Sequence, residues 1–576
     1  MAANLSPGIF VTETDQSTTV QAVGTSIGAI GINAVWGPVN YVVTVSSENE
    51  LVQTFGNPND TTYQYFFAAK SFLDYSSDLK VVRVIDSTAA GNANSSSSLG
   101  LIIQNVDDYN TNTFGAGKLA NAGLFVAKYP GVLGNSLGVS IVDACASSTG
   151  ALSYSSQTYF GSKLWSGIAP KPTTTASVAN ANGSNDAFHA LVIDTNGAWT
   201  GTAGQILEKF LFISKASDAV GYDGTNNYYV NVLNNRSQYV WAASAPSASS
   251  IGTSGVNKTF GYFTTVAQKS NLGGGADSTN DTNIQAALVV ANGGYNLFSD
   301  LASTPINLMI SGPANAATTG SLIALAASWA NPLLFISPKM GDVVGVLNAA
   351  TANTNVLAYQ SSLSANTSFV VMDNNWKYLY DSYNDVFRWV PCNGDIAGLC
   401  ARTDSTNAAW FSPAGYTRGT LKNCIKLAYN PNQTQRDALY IQNVNPITTF
   451  PAHGTILFGD KTAYPTPSAF QSIPIRRMFT LLETTIADFS RSLLFEQNDQ
   501  TTRNAFIGAI EPLLRTVQAG RGITDFKVVC DASNNTNVDP KTLVGDIYIK
   551  PTYSVNFIQL NFIATRNSVN FSTVGA

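Results

Sequence analysis

Charge is scarce in this sequence. Only 12% of its 576 residues are Asp, Glu, Lys or Arg, about half the share usual in a soluble domain. The net charge of −5 is small for the length, and no basic stripe runs along the chain; no nucleic-acid partner is therefore expected. Histidine is nearly absent, with His189 and His453 the only two. The five cysteines (Cys145, Cys392, Cys400, Cys424 and Cys530) are odd in number and lack CxxC spacing, which predicts reduced, structural thiols. No apolar run approaches bilayer length, and MAANLSPGIF has neither a basic n-region nor an apolar h-region. The chain thus reads as soluble and cytoplasmic, without membrane insertion, and its Asn-x-Ser/Thr sequons as accidental.

Asn, Thr, Ser and Gly carry the polarity instead. Such a lightly charged chain suits a subunit that buries much of its surface in an assembly. Its length predicts about two to four domains.

Early in the chain, the apolar stretch from Gly28 to Trp36 predicts a buried strand. SSENELVQTFG predicts a helix, with Ser47 and Glu50 at capping-box spacing and Gly56 as its stop. TTYQYFFAAKSFLDY predicts a second helix and LKVVRVID a strand. The order strand, helix, helix, strand is that of an α/β layer. STAAGNANSSSS reads as a linker by composition. From about 100 to 271, short alternating strands such as FHALVIDT and YYVNVL sit among Asn-Gly turns, the pattern of a β-rich insert. LGGGADSTND reads as a hinge back to the first layer. Helix and strand then alternate through TNIQAALVVANGGYNLF, INLMISG, SLIALAASWA and LLFISP. Further on, IPIRRMFTLLETTIADFSRSLLF places Ile475, Met478, Phe479, Leu482, Ile486 and Phe489 on one helical face, with Pro474 in its first turn. TTRNAFIGAIEPLLRTVQAG predicts a helix bent near Pro512, and ITDFKVVCD and GDIYIKP predict strands.

The end of the chain, YSVNFIQLNFIAT, alternates with period two. Tyr553, Val555 and Phe557 hold one phase; Ile558, Leu560, Phe562 and Ala564 hold the other. A one-residue slip turns the second half onto the opposite face. Either a bulge lies in the middle, or the strand leaves one sheet and pairs with another.

A catalytic constellation does not emerge. Neither histidine has metal-ligand spacing to a cysteine. Gly273-Gly274-Gly275 lacks a lysine in P-loop register, and Gly459-Asp460-Lys461-Thr462 lacks the upstream glycine; both predict turns. Asp381, Asp385, Asp395 and Asp404, near Arg388 and Arg402, predict ion pairs and loop caps that fix an aromatic segment. No cofactor, metal or enzymatic activity is expected. Composition alone leaves open a capsid or surface-layer subunit, or a hydrolase using Asp385 or Asp395.

The segment WKYLYDSYNDVFRWVPCNGDIAGLCARTDSTNAAWFSPAGYTRG, from Trp376 to about Arg418, resembles the contractile tail sheath protein of T-even-type bacteriophages. Further blocks resemble that family in the same order: LSPGIFVTET, LVQTFGNP, KYPGVLGNSL, IDTNGAWTGTAGQILEKF, QRDALY…NPIT, LFGDKTA, IRRMF, LFEQND…TR, VVCDASNNT and IKPTYSVNFIQLNFIAT. Where the long T-even form carries an additional outer domain between VVRVID and YPG…GNSL, this chain has only a Ser- and Asn-rich stretch. The resemblance therefore implies a reduced outer protrusion.

It also implies a mixed α/β (α+β) multidomain fold: a core of discontinuous segments, a β-rich inserted outer domain, and extended terminal arms donating strands to neighbouring subunits. The expected parts are an N-terminal arm (1–20), a first core segment (21–88), a Ser/Asn-rich linker (89–100), the insert (101–271), a second core segment (272–470) and a C-terminal domain ending in the second arm (471–576). Strand exchange would use Pro7, Gly8, Ile9 and Val11 at one end. At the other it would use Tyr553, Val555, Phe557, Ile558, Leu560 and Phe562, the strand beginning in its own subunit's sheet. Arg476, Arg477 and Arg503 are the candidates for facing an inner tube. The implied partners are other copies, as six-subunit rings in a helical stack, the inner tail tube protein, and baseplate and tail terminator proteins. The implied location is the virion tail, after assembly in the host cytoplasm, and the implied function is contraction on baseplate triggering.

Overall fold

The structure is a computed structural model that describes residues 24–112, 114–143, 154–246, 250–263, 267–535 and 539–560. The chain divides into two compact units. The larger holds Gly24–Thr406 and Pro413–Pro467; the smaller takes Asn407–Ser412 and the chain from Ser468 onward.

The larger unit is built on a seven-stranded sheet of β1 (Gly28–Ile32), β2 (Val42–Val45), β3 (Leu79–Arg83), β4 (Leu308–Ile310), β5 (Leu333–Ile336), β6 (Val370–Asp373) and β7 (Val444–Asn445). Their order is β7-β6-β5-β4-β1-β3-β2. All neighbours are parallel except β2 and β3. Helices cover such a sheet on both faces, so its strands read as continuous apolar runs rather than alternating ones. All five residues of β1 are buried. Its glycines answer to close packing: a Cβ on Gly28 would meet Phe72 at 2.6 Å, and one on Gly31 would meet Leu288 at 2.7 Å.

The expected helices form as Glu48–Phe55, Tyr63–Leu73 and Ala316–Trp329. Ser47 caps the first, its hydroxyl accepting from the Glu50 N–H, while Glu50 reaches one residue further back, to the N–H and hydroxyl of Ser46. TNIQAALVV stops earlier than expected, at Leu288, and the chain resumes as a 3-10 turn over Gly294–Phe298.

The insert carries an antiparallel sheet in the order Gln268–Asn271, Leu137–Val142, Ala187–Asp194, Gln205–Ser214. FHALVIDT forms the strand Ala187–Asp194, fully buried like its neighbour Leu137–Val142. YYVNVL, expected as a strand, is instead the helix Tyr229–Arg236. Tyr229, Val230, Val232 and Leu233 are buried in it, at helical spacing, against a core that includes Phe188 and Phe263. Packing overrides the strand preference of β-branched and aromatic residues.

The two stretches read as linker and hinge are joined to each other. Asn94 and Gly273 exchange backbone hydrogen bonds of 2.8 and 2.9 Å, and Gly91 and Ala276 exchange two of 3.0 Å. They form a two-stranded neck at the base of the insert. Asn92 and Asn94 are fully buried there, the Asn92 amide donating to the carbonyls of Ile103 and Ala127. Gly275 is required by close approach, since a Cβ would meet the Gly131 carbonyl at 2.5 Å. Beside the neck, the fully buried guanidinium of Arg83 donates to the carbonyls of Ala34, Gly37 and Pro130 at 2.8 Å each.

The smaller unit pairs the helices Ile473–Arg491 and Gln500–Ala519 with the hairpin Ile523–Val529/Asp546–Pro551. Met478, Leu482, Phe506, Ile510, Leu514, Val517, Ile523 and Cys530 form its core, with Phe479 and Ile486 packed against it. The second helix runs unbroken through Pro512.

Candidate assembly interface

Antiparallel partners run from Ile523 with Pro551 to Val529 with Asp546 in the terminal hairpin, with an irregularity between Ile523 and Asp525. It is a sheet of two strands, so each has one outer edge without a ladder partner among the described residues. Two strands are marginal on their own, and these lean on the helix pair through Ile523, Phe526, Val528, Ile547 and Ile549.

Beyond Pro551 the Thr552 N–H still donates to the Gly522 carbonyl, at 3.0 Å. The chain then leaves the sheet. No strand is formed over 553–560. Tyr553 is 62% exposed, Val555 78%, Phe557 86%, Ile558 77% and Leu560 71%. The expectation that this strand begins in its own subunit's sheet is therefore corrected. The physical reason is the phase flip: with apolar residues facing both ways, neither side of the segment matches a single face of its own body. Pro7, Gly8, Ile9, Val11 and Phe562 lie outside the described residues.

The three arginines are engaged within the unit. Arg476 and Arg477 are each 5% exposed. Arg476 donates to Glu483 at 2.7 Å and lies 4.8 Å from the ring centre of Phe470. Arg503 donates through Nε and Nη2 to the Asn498 side-chain carbonyl, at 3.3 and 3.0 Å.

The aromatic segment of the larger unit is a hairpin, Trp376–Asp381 against Val386–Pro391, followed by the helix Asn393–Thr406. Its inner face is polar and closed to water. Lys377 pairs with Asp395 at 2.9 Å, both side chains fully buried, and the Tyr75 hydroxyl donates to the same carboxylate at 3.1 Å. Burial raises the Asp395 carboxyl against the opposing pull of Lys377. Asp373, at the end of β6, accepts from the Ser337 hydroxyl at 2.6 Å and the Asn375 N–H at 2.9 Å. Burial pushes its carboxyl up to about 8.

The other acidic residues are spread out. Asp381 accepts from Arg388 at 3.4 Å and from the Tyr383 N–H at 3.0 Å. Asp385 takes the Tyr380 hydroxyl at 2.6 Å and Asp404 that of Thr25 at 2.6 Å, while Arg402 donates to the Arg418 carbonyl. They do not converge on a common point.

His189 accepts from the Phe212 N–H at 3.0 Å and contacts the Pro170 carbonyl at 2.9 Å; burial lowers its pKa. Lys461 donates its amine to the Tyr440 carbonyl, so Gly459–Thr462 holds no free lysine. Among the described residues no group of three His, Cys, Asp or Glu is placed to hold a metal. No described helix is long and apolar enough to cross a membrane, and Cys392, Cys400, Cys424 and Cys530 form no disulfide.

Two family models match the chain: the phage tail sheath protein central domain over residues 291–463 and the phage tail sheath C-terminal domain over 466–565. The junction between them falls beside the boundary of the two compact units. The tail sheath protein of Vibrio phage KVP40 is 32% identical to this chain, over 99% of each. The chain belongs to the phage tail sheath protein family. Its function is that of a structural subunit of a phage tail sheath. The tail sheath protein of Enterobacteria phage T4 is 28% identical over 98% of each chain. In three dimensions, the sheath tail protein of Listeria innocua shares the fold, with a TM-score of 0.52 at 12% identity over 93% of each chain. The alignment with the KVP40 sheath protein spans 677 positions. At least 101 of them (677 less 576) have no counterpart here.

For a sheath subunit, the arrangement divides the labour. The aromatic segment that carries the family resemblance buries Lys377, Asp381 and Asp395, which hold the fold. The terminal segment carries a run of exposed apolar side chains. Sequence reasoning missed the neck, because Ser/Asn/Gly composition looks the same whether or not a backbone partner exists.

Proposed function

We propose that copies of this chain stack as six-subunit rings around an inner tail tube, and that on baseplate triggering the sheath shortens and drives the tube through the host envelope. Assembly takes place in the host cytoplasm, and a tail terminator protein closes the stack. The observation that carries this reading is the terminal segment: five large apolar side chains, 62–86% exposed, beside a hairpin of only two strands. Each would complete the other if the segment of one subunit added to the hairpin edge of the next. The N-terminal segment around Pro7–Val11 supplies the second arm. Main-chain bonds hold a strand added in this way, and alternate side chains set its register. Each bond contributes about 0.5–1.5 kcal/mol net, and covering Phe557 adds roughly 1.5–3 kcal/mol. A flexible arm of this strength keeps neighbours joined while their bodies swing. The mechanism requires no nucleotide and no catalysis.

The tube-facing surface belongs, in this reading, to the helix pair of the smaller unit. Arg503 is the one of its three named arginines that is not buried.

Removing residues from Tyr553 onward tests the proposal. The shortened chain should remain soluble, with an unchanged circular dichroism spectrum, and should form no rings or tubes under electron microscopy. Tubes of normal appearance would reject the arm assignment.

A further inference from the structure

Two exposed surfaces outside the arms, one on each unit, are chemically complementary. The first is the outer face of the aromatic hairpin. There Tyr378 lies opposite Trp389 and Tyr380 opposite Phe387. The ring centres of Tyr378 and Trp389 are 4.7 Å apart, those of Tyr378 and Phe387 5.5 Å, and those of Tyr380 and Phe387 5.3 Å. Tyr380 is 49% exposed and Phe387 52%. Lys426, opposite Tyr378 on the third strand, holds its amine 4.8 Å from the Tyr378 ring centre and 5.7 Å from that of Trp389. It is exposed, and no carboxylate pairs with it among the described residues. Of the two carboxylates of this hairpin, Asp381 is taken by Arg388 and Asp385 by the Tyr380 hydroxyl. A contiguous aromatic face of this kind marks an interaction site rather than ordinary surface.

The second surface is the turn between the two long helices of the smaller unit. Leu494 is 63% exposed and Phe495 fully exposed. Phe495 is held at φ +72°, a left-handed conformation that a bulky residue adopts only under constraint. That constraint is visible. Asn498 donates to the carbonyls of Pro540 and Thr542, at 3.0 Å each. It accepts from Arg503, and Asp499 caps the next helix through the Thr502 N–H at 2.9 Å. Leu493 turns inward onto the core. The turn therefore presents Leu494 and Phe495 on a fixed backbone, followed by exposed Glu496, which has no ion pair among the described residues.

We infer that the Leu494–Phe495–Glu496 tip of one subunit seats on the Tyr378–Tyr380–Phe387–Trp389 face of a second copy, with Glu496 against Lys426. Apolar meets aromatic, and the unpaired anion of the tip meets the unpaired cation of the face. Tip and face are different patches of the chain, so the contact is head-to-tail and repeats from copy to copy. It is too small to hold a dimer and acts through repetition along the polymer. The inference rests on the self-assembly reading above and adds a contact that the arms do not provide.

The test uses the full chain, purified without other tail proteins, and measures the threshold concentration for polymer formation by pelleting and electron microscopy. Phe495→Ser, Glu496→Lys and Lys426→Glu should each raise that threshold about tenfold or more, with unchanged thermal unfolding. The double variant Lys426→Glu/Glu496→Lys should return toward the wild-type threshold. Polymerisation of Phe495→Ser at the wild-type concentration overturns the contact, as does a double variant no better than its parents. A Phe495→Ser chain that polymerises normally alone but fails to coat isolated tail tubes also overturns it and assigns the tip to the tube. If the wild-type chain forms no polymer, the self-assembly reading falls and the contact with it.

Discussion

In the seven-stranded sheet, β1 is hydrogen-bonded to β4 on one side and β3 on the other, and every one of its residues is buried. In the terminal hairpin each strand has one neighbour, and the segment that follows shows its apolar side chains to solvent. Backbone groups and apolar side chains need partners in both places. The body supplies its own, down to the Lys377–Asp395 pair at zero exposure. The C-terminal segment has none of comparable extent on its own chain among the described residues. A residue whose partners are internal governs folding; one whose partners lie elsewhere governs assembly.

This contrast is sharpest at the buried ion pair. Lys377→Met leaves Asp395 in a closed site without its cation, and should lower unfolding stability by about 3–5 kcal/mol, measured by urea titration of the unpolymerised chain. A loss below the scatter of surface substitutions would mean that the inner face of the hairpin is not the closed polar core described here.

Asp373 should produce a smaller, pH-dependent effect. Its folded carboxyl titrates near 8, against the ordinary 3.8, so between these values the folded state holds a proton that the unfolded state has released. The contribution of this group is therefore fully present below about pH 4 and is lost as pH rises toward 8. The stability difference between wild type and Asp373→Asn should shift against the wild type across that window, as read from thermal midpoints at several pH values. A pH-independent difference would break the argument.

The smallest effect on folding is expected at the terminal segment. Phe557→Ser should change monomer stability by less than about 0.5 kcal/mol while raising the concentration needed for polymerisation. A large loss of monomer stability would show Phe557 to be a core residue, and the contrast between body and tail would fail.

Much of the body was legible because its signals are local. Ser47, Glu50 and Gly56 bracket a helix within a dozen residues, and the face running from Ile475 to Ile486 shows its period directly. The failures share a cause. YYVNVL has strand-forming residues, yet the aromatic core of the insert takes it as a helix. The linker and hinge pair with each other across nearly the whole insert, and nothing in either stretch records that distant partner. For YSVNFIQLNFIAT the alternation was readable, but alternation states only that a strand is possible. It does not name the edge that receives it.

From the sequence alone came the alternation of helices and strands in the body, the apolar face of the long C-terminal helix and the family to which the chain belongs, since each is written in neighbouring residues or ordered blocks. Tertiary structure alone decided the closure of the neck, the burial of Arg476 and Arg477, the raised pKa of the buried Asp373 carboxyl and the exposure of the C-terminal segment. Each of these depends on which groups from remote parts of the chain exclude water from a given atom, and no short stretch of sequence contains that.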